Sequence, residues 1–280
     1  MKINQIRNNV NFNAGYSSKF ALMEKQVKPK SVELFFKHSG VKDFGTFYNT
    51  DLKGNKALAL GNKLCAELFI KFRNIYDLRQ GRSIQTLIFP QDIYVFNKSE
   101  SDFYHDREFF VNNVNIRPKN NKPVFEPGTV FIDNAFDSLE YLDSKMEIRR
   151  KENTTSTNHF MHCFIHEWLH AQFANILKAR ANLGSYYYDK TMQIYQNQKL
   201  TEKEKEMTGN LIGTYAFSKE ESQYPELFAE SWTKFICEAL SKDCQSFSKN
   251  PIDILKSMPK EFRTLLDKVS QVKMYHLFEN

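Results

Sequence analysis

Residues 164–173, FIHEWLHAQF, set two histidines and a glutamate into an otherwise apolar run. On a helix, His166 and His170 stand one turn apart on the same face, close enough to hold one ion. Neutral imidazole is a preferred zinc ligand, at about 2.0–2.1 Å. Glu167 directly follows the first histidine. Its carboxylate therefore stands beside such an ion rather than on it, where a base can take a proton from metal-activated water. His-Glu-x-x-His on a helix reads as a zinc site with a built-in base. With 7 histidines in 280 residues, its chance occurrence is on the order of one in a hundred. Four of the seven histidines lie between His159 and His170, so His162 also sits one turn before His166. The residue after His162 is Cys163, not an acid, and His162 is expected in the core or supporting a ligand from behind.

A catalytic zinc takes three protein ligands and keeps an open position. Glu226 and Glu230, in PELFAESW, are the candidates for the third. At helical spacing they share a face beside a long apolar stripe. One can ligate the ion while the other accepts the free N–H of a histidine ligand and fixes its tautomer. Two such glutamates alone would read as a solvated acidic edge. The ligand still missing from the upstream motif turns that reading over. A purely structural zinc is disfavoured because closed sites draw on cysteine. Cys65, Cys163, Cys237 and Cys244 match no zinc-knuckle or redox spacing. They read as free thiols, with Cys163 and Cys237 in packed helices.

The elements that must position these residues follow from periodicity. Residues 1–18 are polar and read as a flexible tail, and 31–40 as a short helix ended by Gly40. Residues 56–79 carry Leu58, Leu64, Leu68, Phe72 and Ile75 near one face, as a helix does. Segments 83–90, 93–97, 108–117 and 129–136 are β-branched and aromatic and read as strands of one small mixed sheet. Residues 138–152 return to helical spacing. The polar break NTTSTN offers caps for a helix over 158–182 that carries the zinc motif. Residues 185–213 read as one or two mobile helices, with Thr201 and Glu204 at capping-box spacing. Pro225 suits the first turn of the Glu226 helix, and Phe262, Leu265, Leu266 and Val269 mark a last one. The fold class is α+β with a helical second half. We divide it into the tail and one domain over 19–280, comprising a helical part 19–80, the sheet and motif helix 81–182, and a helical part 183–280.

HEWLH at 166–170, the Thr-Tyr pair at 214–215 and ELFAESW at 226–232 together resemble the gluzincin metallopeptidases. The closer likeness is to the catalytic domain of anthrax lethal factor and its relatives, which include the bacterial Pro-Pro endopeptidases. It spans roughly residues 128–272 and includes MPKEFRTLLDKV near the C-terminus. The resemblance implies a zincin-like fold, Glu226 as third ligand and Glu230 as the second glutamate of that motif. It implies a tyrosine that steadies the oxyanion. Tyr215 matches, with Tyr224 as its rival because the segment before Glu226 is longer than the family's. It further implies a peptide substrate laid as an added strand along a sheet edge, with 129–136 as that edge. Residues 184–213 have no family counterpart and suggest a lid or specificity element.

Composition sets the outer bounds. Hydrophobic residues at 41% and charged residues at 26% are ordinary for a soluble globular chain. No apolar run is long enough for a membrane span. The N-terminus lacks the apolar stretch of a secretory signal, so a cytoplasmic location is the default and signal-less export as an effector or toxin the alternative. The net charge of +6 is scattered and matches no nucleic-acid motif. No pattern sets an oligomeric state. The expected function is a zinc-dependent endopeptidase with one catalytic ion and a protein or peptide substrate. The alternatives are a non-catalytic zincin-fold binding module and a zinc aminopeptidase, which would need an acidic cluster for the free amino terminus.

Overall fold

The computed structural model describes residues 47–48, 61, 64–65, 93–96 and 108–111, and then 128–270 except 137, 183, 197–199, 218–222 and 241–250. The expected tail, the helix at 31–40, the strand at 83–90 and Cys244 lie outside these residues. Of the helix expected over 56–79, Gly61, Leu64 and Cys65 are described, and all three are helical.

Four short strands form one mixed sheet: β1 (Phe47–Tyr48), β2 (Ile93–Phe96), β3 (Phe109–Val111) and β4 (Val130–Asp133), in the order β1-β2-β4-β3. β2 runs parallel to β1 and β4, and β3 runs antiparallel to β4 with Phe110 opposite Phe131. The strand expected at the sheet edge, β4, is therefore central, with β2 on one side and β3 on the other. Its residues are buried without alternation, as in a strand covered on both faces. Among the described residues the edge on that side is β3. β4 stops where the Asp133 carboxylate accepts the Ala135 N–H at 3.0 Å and a 3-10 turn, Asn134–Phe136, begins.

Among the described residues, seven α-helices follow β4. Ser138 caps α1 (Leu139–Lys151) by accepting the Tyr141 N–H, and three basic residues fill its last turn. α2 (His162–Asn182) carries the zinc motif. It starts later than the expected 158. The Thr157 hydroxyl takes the His159 N–H at 2.9 Å and His159 Nδ1 takes the Met161 N–H at 3.1 Å. Those local bonds satisfy the backbone outside helix geometry. Residues 185–213 resolve into two helices, α3 (Ser185–Gln196) and α4 (Glu202–Ile212), the latter opened by the Thr201–Glu204 capping box. α5 (Gln223–Ala239) has Pro225 in its first turn, and α6 (Pro251–Ser257) and α7 (Lys260–Ser270) follow.

Two apolar clusters hold these elements. The first joins the sheet, α1 and α2 through Val130, Ile132, Leu142, Phe164 and Trp168. The second joins α4 to α7 through Ile212, Phe235, Phe262 and Leu266. Phe228 and Trp232 of α5 pack against both, so α5 locks the helical part onto α2. The arrangement is α+β and mostly helical. No described helix is long and apolar enough to cross a membrane.

Candidate metal centre

α2 buries Phe164, Ile165, Trp168 and Leu169 in the first cluster, while His162, His166 and His170 meet α5. His166 Nε2 and His170 Nε2 stand 3.0 Å apart. Glu226 Oε2, from the first turn of α5, is 3.2 Å from each. Ligands about 2.0–2.1 Å from a tetrahedral ion lie about 3.3–3.4 Å from one another. The three donors thus already surround a position for one small cation. Two nitrogens and a carboxylate oxygen also form a donor set suited to a divalent transition metal.

Burial pushes the Glu226 carboxyl up, but His170 and His166 outweigh it and hold Glu226 well below the usual carboxylate range. Burial works against charge on His166, yet Glu226 and Glu230 raise it well above the ordinary imidazole value. A cation at this position must displace the His166 proton, because imidazole ligates in its neutral form. Metal affinity should therefore rise with pH, on the order of tenfold per pH unit for each proton released. A chelator-competition titration from about pH 6 to about pH 8 checks this, and a flat profile would contradict it.

Glu230, one turn further along α5, is buried behind His166. Its Oε2 accepts the Ser156 N–H at 3.0 Å, and its backbone oxygen accepts the Ser156 hydroxyl at 3.2 Å. Its Oε1 bonds His162 Nε2 at 3.2 Å and lies 3.3 Å from His166 Nδ1. That second nitrogen is buried and at ion-pair distance without making a hydrogen bond. Burial raises the Glu230 carboxyl, but His162 and His166 together hold it well below the usual range. His162, His166 and Glu230 also bring three donors together. Here, however, the carboxylate is already engaged by Ser156 and His162, and the group lies behind the first, against His166 Nδ1. With Nε2 on a metal, His166 keeps its proton on Nδ1, facing Glu230. Glu230→Gln should weaken metal binding by about 10–100-fold, read by competition with a chelator. Unchanged affinity would remove Glu230 from this role.

Glu167 is partly exposed beside the triad. Burial raises its carboxyl to about 6, against the opposing charges of His166 and His170. A carboxyl near neutrality can both accept and return a proton. Tyr215 opens a 3-10 turn, Tyr215–Phe217, that packs against α5. Burial, then the charges of Glu226 and Glu167, push its phenol up to about 12. It is therefore a protonated donor within the field of both acids. Tyr224 lies in the first turn of α5, and its side chain is outside the described residues.

Two participants were not anticipated. Ser156 sat in a segment read only for helix caps, 74 positions from the glutamate it binds. Arg149 of α1 reaches Glu108 Oε2 at 3.0 Å, and its other nitrogen is 3.9 Å from Cys163 Sγ, one turn before Glu167. Cys65, Cys163 and Cys237 are buried. Burial pushes Cys163 up to about 11, which favours the protonated thiol at neutral pH.

Comparison with protein families, curated proteins and solved structures finds no match for the chain.

Proposed function

We propose that the protein is a zinc-dependent endopeptidase. The observation that carries this reading is the convergence of His166, His170 and Glu226 on one cation position, with Glu167 beside it. Two imidazoles and a single carboxylate leave a tetrahedral ion one open position, the donor set of a catalytic rather than a structural zinc. When bound, a zinc ion supplies Lewis-acid polarisation and makes water acidic near neutral pH. Glu167 takes the proton of the attacking water and returns it to the leaving amine. The Tyr215 hydroxyl donates a hydrogen bond to the oxygen that gains charge at the scissile carbonyl. Glu230 and His162 hold His166 in orientation from behind.

We extend the reading to the lethal-factor-like gluzincins, whose motifs the same residues resemble. An extended peptide would add along β3, which is the edge strand beside β4 among the described residues. α3 and α4 would then act as a lid or specificity element.

The test is a peptide-library digest by the zinc-loaded and the chelator-treated chain, followed by mass spectrometry. Internal cleavage that needs the metal, including cleavage of N-terminally blocked peptides, is expected. Bound metal without cleavage would leave a binding protein, and cutting of unblocked peptides alone would indicate an aminopeptidase.

A further inference from the structure

Two site-bearing segments, the Tyr215 turn and α5, meet at the short loop between α1 and α2, which lies far earlier in the chain. Asn153 is the only described residue other than glycine with a positive φ, 54°. Asparagine tolerates that left-handed conformation better than other side chains. It is held there from α1. The Asn153 N–H donates to Arg150 O at 3.0 Å, and Arg150 Nη1 donates to Asn153 Oδ1 at 3.2 Å and to Thr155 O at 3.0 Å. The Thr154 N–H donates to Arg149 O at 2.9 Å.

So fixed, the Asn153 carbonyl accepts twice from Thr214: from its N–H at 2.7 Å and its hydroxyl at 3.0 Å. Thr214 is the residue before Tyr215, and its own carbonyl accepts the Phe217 N–H at 3.0 Å, closing the turn that presents the phenol. Gly213 lies flat against the loop. Its φ is +86°, and a Cβ there would stand 2.9 Å from the Thr155 carbonyl carbon and 3.0 Å from two further backbone atoms. Both the conformation and the space exclude a side chain. At its other end the loop is tied to α5, where Ser156 makes its two bonds to Glu230.

We propose that loop 153–156 is a clamp that fixes the Tyr215 turn against the helix carrying Glu226 and Glu230, with Gly213 and Thr214 as positioning residues for the phenol. The inference rests on the peptidase reading. An oxyanion donor acts only if held where charge develops, and a misplacement of about 1 Å can cost about 100-fold.

The experiment compares kcat and KM of the zinc-loaded full chain, on a peptide it cuts, for Gly213→Ala and Thr214→Val in the wild-type and Tyr215→Phe backgrounds. Metal content is measured throughout. In the wild-type background Gly213→Ala should lower kcat by about 100-fold with KM and bound metal little changed. Thr214→Val, which removes one of two hydrogen bonds and keeps the fold testable if the alanine variant does not fold, should cost about 2–10-fold. In the Tyr215→Phe background both effects should largely vanish, because the group they position is gone. Equal losses in the two backgrounds, or a Tyr215→Phe chain as fast as wild type, would overturn the clamp alone. A wild-type chain that binds zinc and cuts no peptide would overturn the peptidase reading, and the clamp with it.

Discussion

Glu167→Gln is expected to keep its full complement of metal and to lose peptide hydrolysis by about 10²–10⁴-fold, the range of a positioned acid–base group. The amide has the same shape and cannot take a proton. The triad of His166, His170 and Glu226 does not include residue 167, so metal content should be untouched. Stability separates lost chemistry from lost fold. Burial raises the Glu167 carboxyl to about 6 in the metal-free chain. A raised carboxyl contributes its stability at low pH, below the ordinary value of about 4.5, and loses it as pH climbs through about 6. At neutral pH the charge is a cost, so the metal-free glutamine variant should melt at or above the wild-type temperature. Calorimetry, metal analysis and a hydrolysis assay on one preparation check all three. Full activity in the variant would remove Glu167 as the base.

Glu226→Ala is expected to abolish both metal retention and hydrolysis. Among the described residues it removes the only carboxylate that contacts both His166 and His170, at 3.2 Å each. The loss of affinity should exceed the about 100-fold upper range of an outer-partner variant, and so exceed that of Glu230→Gln. The two glutamates are one helical turn apart, and their ranking is the discriminating result. If Glu230→Gln releases the metal and Glu226→Ala retains it, the two roles are reversed. Titration with a chromophoric chelator measures both.

How these residues are arranged was only partly written in local pattern. His166, Glu167 and His170 were legible because a four-residue period and a helix fix their relation without tertiary information. The order of Glu226 before Glu230 was not: periodicity puts both on one face, and only the docking of α5 on α2 decides which reaches the Nε2 atoms. His162 was expected behind a ligand, and it bonds Glu230 there. Ser156 carried no signal, because its partner lies 74 positions away and its neighbours all resemble helix caps. The same cap-like residues misplaced the start of α2, since Thr157 and His159 spend their side chains on the loop. β4 was recognised as a strand from Val130, Phe131 and Ile132, but its unbroken burial marks an interior strand, not an edge. Strand order depends on long-range pairing, which alternation within one strand does not encode.

X-ray absorption at the zinc edge of the loaded chain tests most directly whether two helices deliver three side chains to one ion. One zinc per chain is expected, with two imidazole nitrogens and low-atomic-number oxygen scatterers at about 2.0–2.1 Å. Sulfur scatterers at about 2.3 Å, or a wild-type chain that retains no zinc at all, would contradict it.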